Sequence, residues 1–185
     1  MDAQFTKEAF RNDMRQTDKA VVHIATHFDS KPGVAANSHM VLGDGLLSLA
    51  DIEAMPRLFS GVDLLTLSAC STAFIGTNID GREVDSLGTI AQRLGAKGVI
   101  ASLWSVSDEA TSRLMETMYR IRRDQPALGK SEHLRLAQQQ MVTGALKPGL
   151  ADSAGRGARS ANVGAAAGWD HPFYWAPFIL IGNWQ

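Results

Sequence analysis

The chain has 185 residues, 45% of them hydrophobic, and a formal charge of -1; this is enough apolar material for one core and predicts a single soluble domain over 1–185. Near-neutral charge without a basic block leaves no footprint for nucleic acid or an anionic membrane, and no apolar run approaches the ~20 residues of a membrane span. The charged opening MDAQFTKEAFRNDMRQTDKA lacks the apolar core of a secretory signal, so a cytoplasmic chain is expected.

Phe5, Ala9, Phe10 and Met14 share one face of a predicted helix over Phe5–Thr17. The β-branched run that follows predicts a buried strand over Ala20–Ala25. Turn residues then surround GDG at 43–45, which reads as a hairpin, and a short helix starts after Ser48. VDLLTLSAC at 62–70 is a second strand, and DSLGTIAQRLG at 85–95 a helix closed by a glycine C-cap. GVIASLW at 98–104 gives a third strand. SDEATSRLMETMYRIRR at 107–123 has the period and first-turn acids of a long helix, and KSEHLRLAQQQMV at 130–142 forms another. The Gly, Ala and Ser-rich stretch 144–168 is expected to be a flexible surface loop, since ordered connections beyond roughly 15 residues are uncommon. FILIG at 178–182 is the last strand.

Strands alternating with helices imply right-handed crossovers and an α/β fold, a mainly parallel sheet with helices on both faces. Reactive groups in such sheets lie beyond the carboxyl ends of the strands. His27 follows the first strand and Cys70, the sole cysteine, follows the second. If those strands are neighbours, both side chains reach the same sheet edge. A thiol is a useful nucleophile at neutral pH when a nearby imidazole favours its thiolate. The alternative at this point is a small buried hydrophobe, the common fate of a free cysteine.

Other chemistries have less to stand on. His23 and His27 are four apart and would clasp zinc if they lay on a helix, but the flanking VVHIAT argues for a strand and no metalloprotease glutamate is in place. His23 therefore reads as a hydrogen-bonded core histidine, and His39, His133 and His171 as structural or exposed. A lone cysteine forms neither an internal disulfide nor a multi-cysteine zinc cluster. No phosphate loop or G-x-S-x-G elbow is present, so no metal or other cofactor is expected.

VVHIATH (21–27), LTLSACSTA (65–73), GREVDSLGTIAQRLGAKGVIASLWSVSDEAT (81–111) and HPFYWAPFILIGNW (171–184) resemble, in order, the blocks of the CHAT family of cysteine peptidases, relatives of caspases, separase and gingipains. The resemblance implies a caspase-like three-layer α/β sandwich. It implies His27 as base, Cys70 as nucleophile, and an oxyanion hole from the backbone N–H groups of Phe28 and Cys70. Family members carry glycine where this chain has Phe28, and they carry further sheet elements upstream; an additional segment or a regulatory partner is therefore expected at the sheet's edge. Relatives such as separase prefer arginine before the scissile bond and hold it with an acid. Asp108, beyond the third strand, is the first candidate for that acid, Trp104 a pocket wall, and Glu83 and Asp85, placed in a loop after the cysteine, the second-choice acids. Helix capping by the 107–109 segment is the competing reading for Asp108. Arg156 and Arg159 are candidate self-cleavage positions. The substrate implied is a protein or peptide; the competing functions are a catalytically inactive CHAT-like interaction module and a small-molecule acyltransferase or amidohydrolase using the same dyad.

Overall fold

The computed structural model describes residues 3–16, 20–29, 38–68, 82–148 and 168–185. They divide into two units, Met1–Trp104 with Ile181–Asn183, and Ser105–Leu180 with Trp184–Gln185.

In the first unit α1 (Lys7–Arg15) buries Phe10 and Met14, one turn apart on the same face. Thr6 caps it, its Oγ1 accepting the Ala9 N–H at 3.1 Å. Asp44 adds a second acceptor, 3.0 Å from the Lys7 N–H. The first strand, β1, is Val21–Ile24. A two-residue strand, β2 (Phe28–Asp29), follows, and then the GDG hairpin of β3 (His39–Leu42) and β4 (Gly45–Ser48). These three form a small antiparallel sheet in the order β2-β3-β4. The predicted hairpin is present; β2 was not predicted, because two residues are too few to display an alternating pattern.

Ser48 ends β4 and starts α2 (Leu49–Glu53) with a reciprocal capping box: its Oγ accepts the Asp51 N–H at 3.0 Å, while Asp51 accepts the Ser48 N–H at 3.3 Å. Loss of such a cap costs ~1 kcal/mol. Ser48→Ala is accordingly expected to lower the urea midpoint with an unchanged slope, whereas an unchanged midpoint would show that the exposed box contributes nothing.

Next come β5 (Leu64–Leu67), α3 (Arg82–Arg93) and β6 (Gly98–Ser102). Every residue of β5 is buried, as are the first four of β6, the unbroken burial of parallel strands covered on both faces. β1 instead alternates, with Val22 and Ile24 buried and His23 exposed. β1 pairs with β5, and β5 with β6, in parallel. β7 (Phe178–Gly182) completes a mostly parallel four-stranded sheet in the order β1-β5-β6-β7, flanked by helices. All four predicted strands are there.

α3 ends in a Schellman motif. The Ala96 N–H reaches the Ala91 carbonyl at 3.0 Å and the Gly95 N–H the Gln92 carbonyl at 2.9 Å. Gly95 takes φ +111°, and a Cβ there would stand 2.8 Å from the Ser60 Cα. The predicted glycine cap is thus also a close backbone contact.

The second unit is helical. α4 (Asp108–Asp124) turns Leu114, Met115, Met118 and Ile121 inward, and α5 (Lys130–Val142) contributes Leu134, Ala137 and Met141. His133 is buried, with Nε2 3.0 Å from the Gln125 carbonyl. A short α6 (Pro172–Trp175), capped by His171, was not predicted. Gln138 donates to the Trp175 and Phe178 carbonyls at 3.0 and 2.9 Å. Most of the stretch expected to be a flexible loop, 149–167, lies outside the described residues. Among those described, no helix is long and apolar enough to cross a membrane.

Candidate active site

His27 is exposed and stands three residues beyond the end of β1. Its backbone is held by the small sheet: the Val41 N–H donates to the His27 carbonyl at 2.9 Å, and the Thr26 hydroxyl to the Val41 carbonyl at 2.5 Å. Phe28 pairs with Met40 and Asp29 with His39. Antiparallel ladders alternate hydrogen-bonded and non-bonded pairs. The bond at the 27/41 position makes 28/40 a non-bonded pair, so the Phe28 N–H points away from β3. The Phe28 ring is buried and, with Ile24, Met40, Ile52 and Phe59, lines a small void in the core. Among the described non-glycine residues only Arg57 has positive φ, so Phe28 has no need of the backbone freedom for which glycine is required. The β-carbon leads into the core rather than into the space before the N–H.

Beside His27 runs a cleft of about 590 Å³ among the described residues, walled by Phe5, Phe10, Asp13 and Met14 on one side and by Val21 through His27 on the other. His23 faces it. The core placement expected for His23 is corrected: alternation along β1 puts its ring on the exposed side, opposite buried Val22 and Ile24. The expected hydrogen bond exists, with His23 Nε2 2.6 Å from Ser68 Oγ at the carboxyl end of β5. Sequence reasoning missed Ser68, although its position directly after a strand was the available signal. The helical zinc clasp does not form, because His23 lies in a strand and His27 beyond it. Among the described residues no group of three or more His, Cys, Asp or Glu is arranged to hold a metal ion.

Partial exposure notwithstanding, the surrounding protein withdraws water from the His23 ring and holds its pKa below 6.5. The unfolded chain then binds the proton more readily than the folded one. The stabilisation is fully present above about pH 6.5 and is lost as the pH falls into the window below it. Thermal unfolding followed from neutral pH toward pH 5 should therefore decline less in His23→Gln than in the wild type; parallel curves would refute the assignment.

Cys70, with its N–H, lies outside the described residues, as do Arg156 and Arg159. Glu83 and Asp85 require a correction: the helix after the cysteine begins at Arg82, so both belong to the opening of α3 and not to a loop. Acids there suit the helix dipole, and this is why a charged start was mistaken for a connection; their side chains lie outside the described residues. Trp104 is half-buried, and its carbonyl accepts from the Ser102 hydroxyl at 2.5 Å. Asp108 is exposed at the first position of α4 in the second unit. The capping expected of its neighbourhood is present, performed by Ser107, whose Oγ accepts the Ala110 N–H at 3.3 Å.

The CHAT domain family model matches residues 1–183, nearly the whole chain. The chain belongs to the CHAT domain family. No curated protein matches it. β1 and β5, on which the blocks VVHIATH and LTLSACSTA begin, are neighbours in the sheet. The family association is with caspase-like cysteine peptidases.

Proposed function

We propose that this CHAT domain is a cysteine endopeptidase in which His27 and Cys70 form the catalytic dyad and cleavage follows a basic residue. The observation that supports it is the register of β1 with β5. Each partner lies 43 positions further along the chain, from Val21↔Leu64 to Ile24↔Leu67, and the same offset leads from His27 to Cys70. Adjacent strands are about 4.8 Å apart, so side chains that kept this offset beyond the carboxyl ends would come within reach of one another.

In this reading His27 takes the Cys70 proton and the thiolate attacks the scissile carbonyl carbon, forming the S–C bond as the carbonyl electrons move to oxygen. The Phe28 N–H, directed away from β3, and the Cys70 N–H receive that oxyanion. Collapse of the adduct breaks the C–N bond, and the imidazolium protonates the departing amine. Water then attacks the acyl-enzyme with His27 as base, releasing the acid and the thiolate. Asp108 is the first candidate to pair a guanidinium bidentately, with Trp104 as apolar wall and Glu83 and Asp85 as alternatives. A regulatory partner belongs to the same proposal.

The test is a panel of fluorogenic peptides with varied P1 residues, run on wild type, Cys70→Ala and His27→Ala. Turnover of arginine and lysine peptides lost in both variants supports the reading; binding without turnover by any peptide favours an inactive interaction module, and acyl transfer to small amines an acyltransferase. Arg156 and Arg159, set among small residues, are the positions at which we expect slow self-cleavage. Intact mass should show nicking after one of them in concentrated wild type, and none in Cys70→Ala or Arg156→Ala/Arg159→Ala. Nicking that persists in Cys70→Ala would assign the cut to another protease.

A further inference from the structure

We propose that the cleft between α1 and β1 is a groove for the peptide substrate, in which Asp13 receives a basic side chain other than the one before the scissile bond. The inference rests on the cysteine-peptidase reading for the identity of its ligand; its geometry rests only on α1, β1 and the β3–β4 hairpin. The cleft encloses about 590 Å³ and has His27 in its wall, a size within the range of ligand pockets. The hairpin holds both of its sides. At the turn, the Gly43 N–H donates to the Phe5 carbonyl at 2.7 Å, and the Asp44 carboxylate accepts the Lys7 N–H, its two oxygens at 3.0 and 3.2 Å. Two residues back, in β3, the Val41 N–H donates to the His27 carbonyl at 2.9 Å. One hairpin thus sets the start of α1 against the backbone at His27, so the groove is formed before a ligand arrives and little ordering is left to be done on binding.

The chemistry of the walls selects the occupant. Phe5, Phe10 and Met14 give α1 an apolar side, the two rings edge to face at 6.1 Å, and exposed Asp13 stands on the same wall. Arginine and lysine suit this combination, because their stems lie along apolar surface while the cationic head stays at a polar rim. α1 does not neutralise Asp13 itself. Side chains three and four positions apart on a helix are neighbours, whereas those two apart face elsewhere. For Asp13 the neighbours are Ala9, Phe10, Gln16 and Thr17, and the cations Arg11 and Arg15 are two positions away. Among the described residues no hydrogen bond or ion pair engages its carboxylate. The other titratable groups lining the cleft are His27 and His23, the latter neutral at neutral pH because burial holds its pKa low.

The helix also places the contact along the substrate. α1 starts at the hairpin, where the His27 backbone is held, and Asp13 is six residues beyond Lys7, about 9 Å of helix. An extended peptide covers that length in about three residues, so the second basic side chain is expected about three positions from the scissile bond.

Fluorescein-labelled peptides, with one arginine before the scissile bond, a second moved through the positions on either side and alanine elsewhere, would be titrated by anisotropy onto Cys70→Ala protein carrying Asp13, Asp13→Asn or Asp13→Lys. The expected result is binding about fivefold tighter with the second arginine at one position away from the scissile bond. That gain should vanish in Asp13→Asn, pass to glutamate at the same position in Asp13→Lys, and shrink as salt rises from about 0.05 to 0.5 M. A gain at no position, one that survives Asp13→Asn, or one indifferent to salt overturns the inference. Turnover of the same peptides by the wild type separates the two failures. Cleavage of single-arginine peptides without benefit from a second arginine overturns the inference and leaves the peptidase reading standing. The expected binding pattern without cleavage overturns the peptidase reading and keeps Asp13 as a contact for basic peptides. A dimer in sedimentation that Asp13→Lys dissociates would seat a second copy of the chain in the cleft and overturn the assignment.

Discussion

Cys70→Ala is expected to remove turnover of an arginine-P1 peptide by a factor on the order of 10^4 or more, and His27→Ala by a similar factor, with the double variant no worse than either. Groups that act as one unit lose their whole contribution when any member goes, so their effects do not add. His27→Ala should not move the melting temperature by more than about 2 °C, because His27 is exposed and surface substitutions change stability by at most about half a kcal/mol, and the proposed nucleophile role forecasts a similarly small shift for Cys70→Ala. The competing view of Cys70 as a small core hydrophobe makes the opposite forecast, a large loss of stability with activity retained. Kinetics and thermal unfolding on the wild type and these three variants separate the two.

Gly95→Ala is expected to cost the first unit about 3 kcal/mol. Two costs act together. The residue sits at φ +111°, and the new Cβ would meet the Ser60 Cα at 2.8 Å and the Ser60 N at 2.9 Å. Those are backbone atoms, and the adjacent Phe59 N–H is bonded to the Leu94 carbonyl at 2.9 Å, so the segment has no free direction in which to move. For a chain of this size the loss corresponds to roughly 10 °C in melting temperature. Gly45→Ala is the control: it has φ +130° but nothing within 4 Å of the added carbon, and should cost about 1 kcal/mol for the backbone conformation alone. Equal losses at the two sites would show that the Ser60 contact is not what requires glycine at 95.

The parts of this molecule that could be read from its residues are those with a repeating physical signal. Leu64–Leu67 announced a strand through leucines broken only by β-branched Thr66, Ser48 announced α2 through its capping chemistry, and the Gly43–Gly45 run announced the hairpin. The position of His27 past a strand was legible for the same reason. β2 was not, since Phe28 and Asp29 are too short a segment to carry a period, and with it went the explanation of Phe28 itself. A phenylalanine where relatives have glycine looks like an obstruction when only the order of residues is known. Its pairing with Met40 is twelve positions distant, and its ring is buried beside Ile52 and Phe59, which are farther still; no local pattern encodes such contacts. Ser68 was missed similarly: its partner is 45 positions distant. The helix predicted from Asp85 opens three residues earlier, at Arg82, and the helical placement of Glu83 escaped because two acids near a glycine resemble a loop and a helix start equally well.

The bond from Val41 to His27 also bears on the order in which the first unit assembles. The histidine's backbone is held by residues 26–29 and 38–48, through a two-residue turn and pairings no more than fifteen positions apart. β1 and β5, in contrast, join across 43 positions. Loop-closure entropy rises with the length enclosed, and contacts that are near in sequence form sooner than distant ones. The backbone at His27 can thus take its geometry from nearby pairings before β5 arrives, and docking of β5 brings Ser68 against a β1 whose far end is already set. Substitutions in the turn at Gly43 and Asp44 should consequently slow refolding, while those at Ser68 should act mainly on unfolding, a division that paired folding and unfolding rates would register.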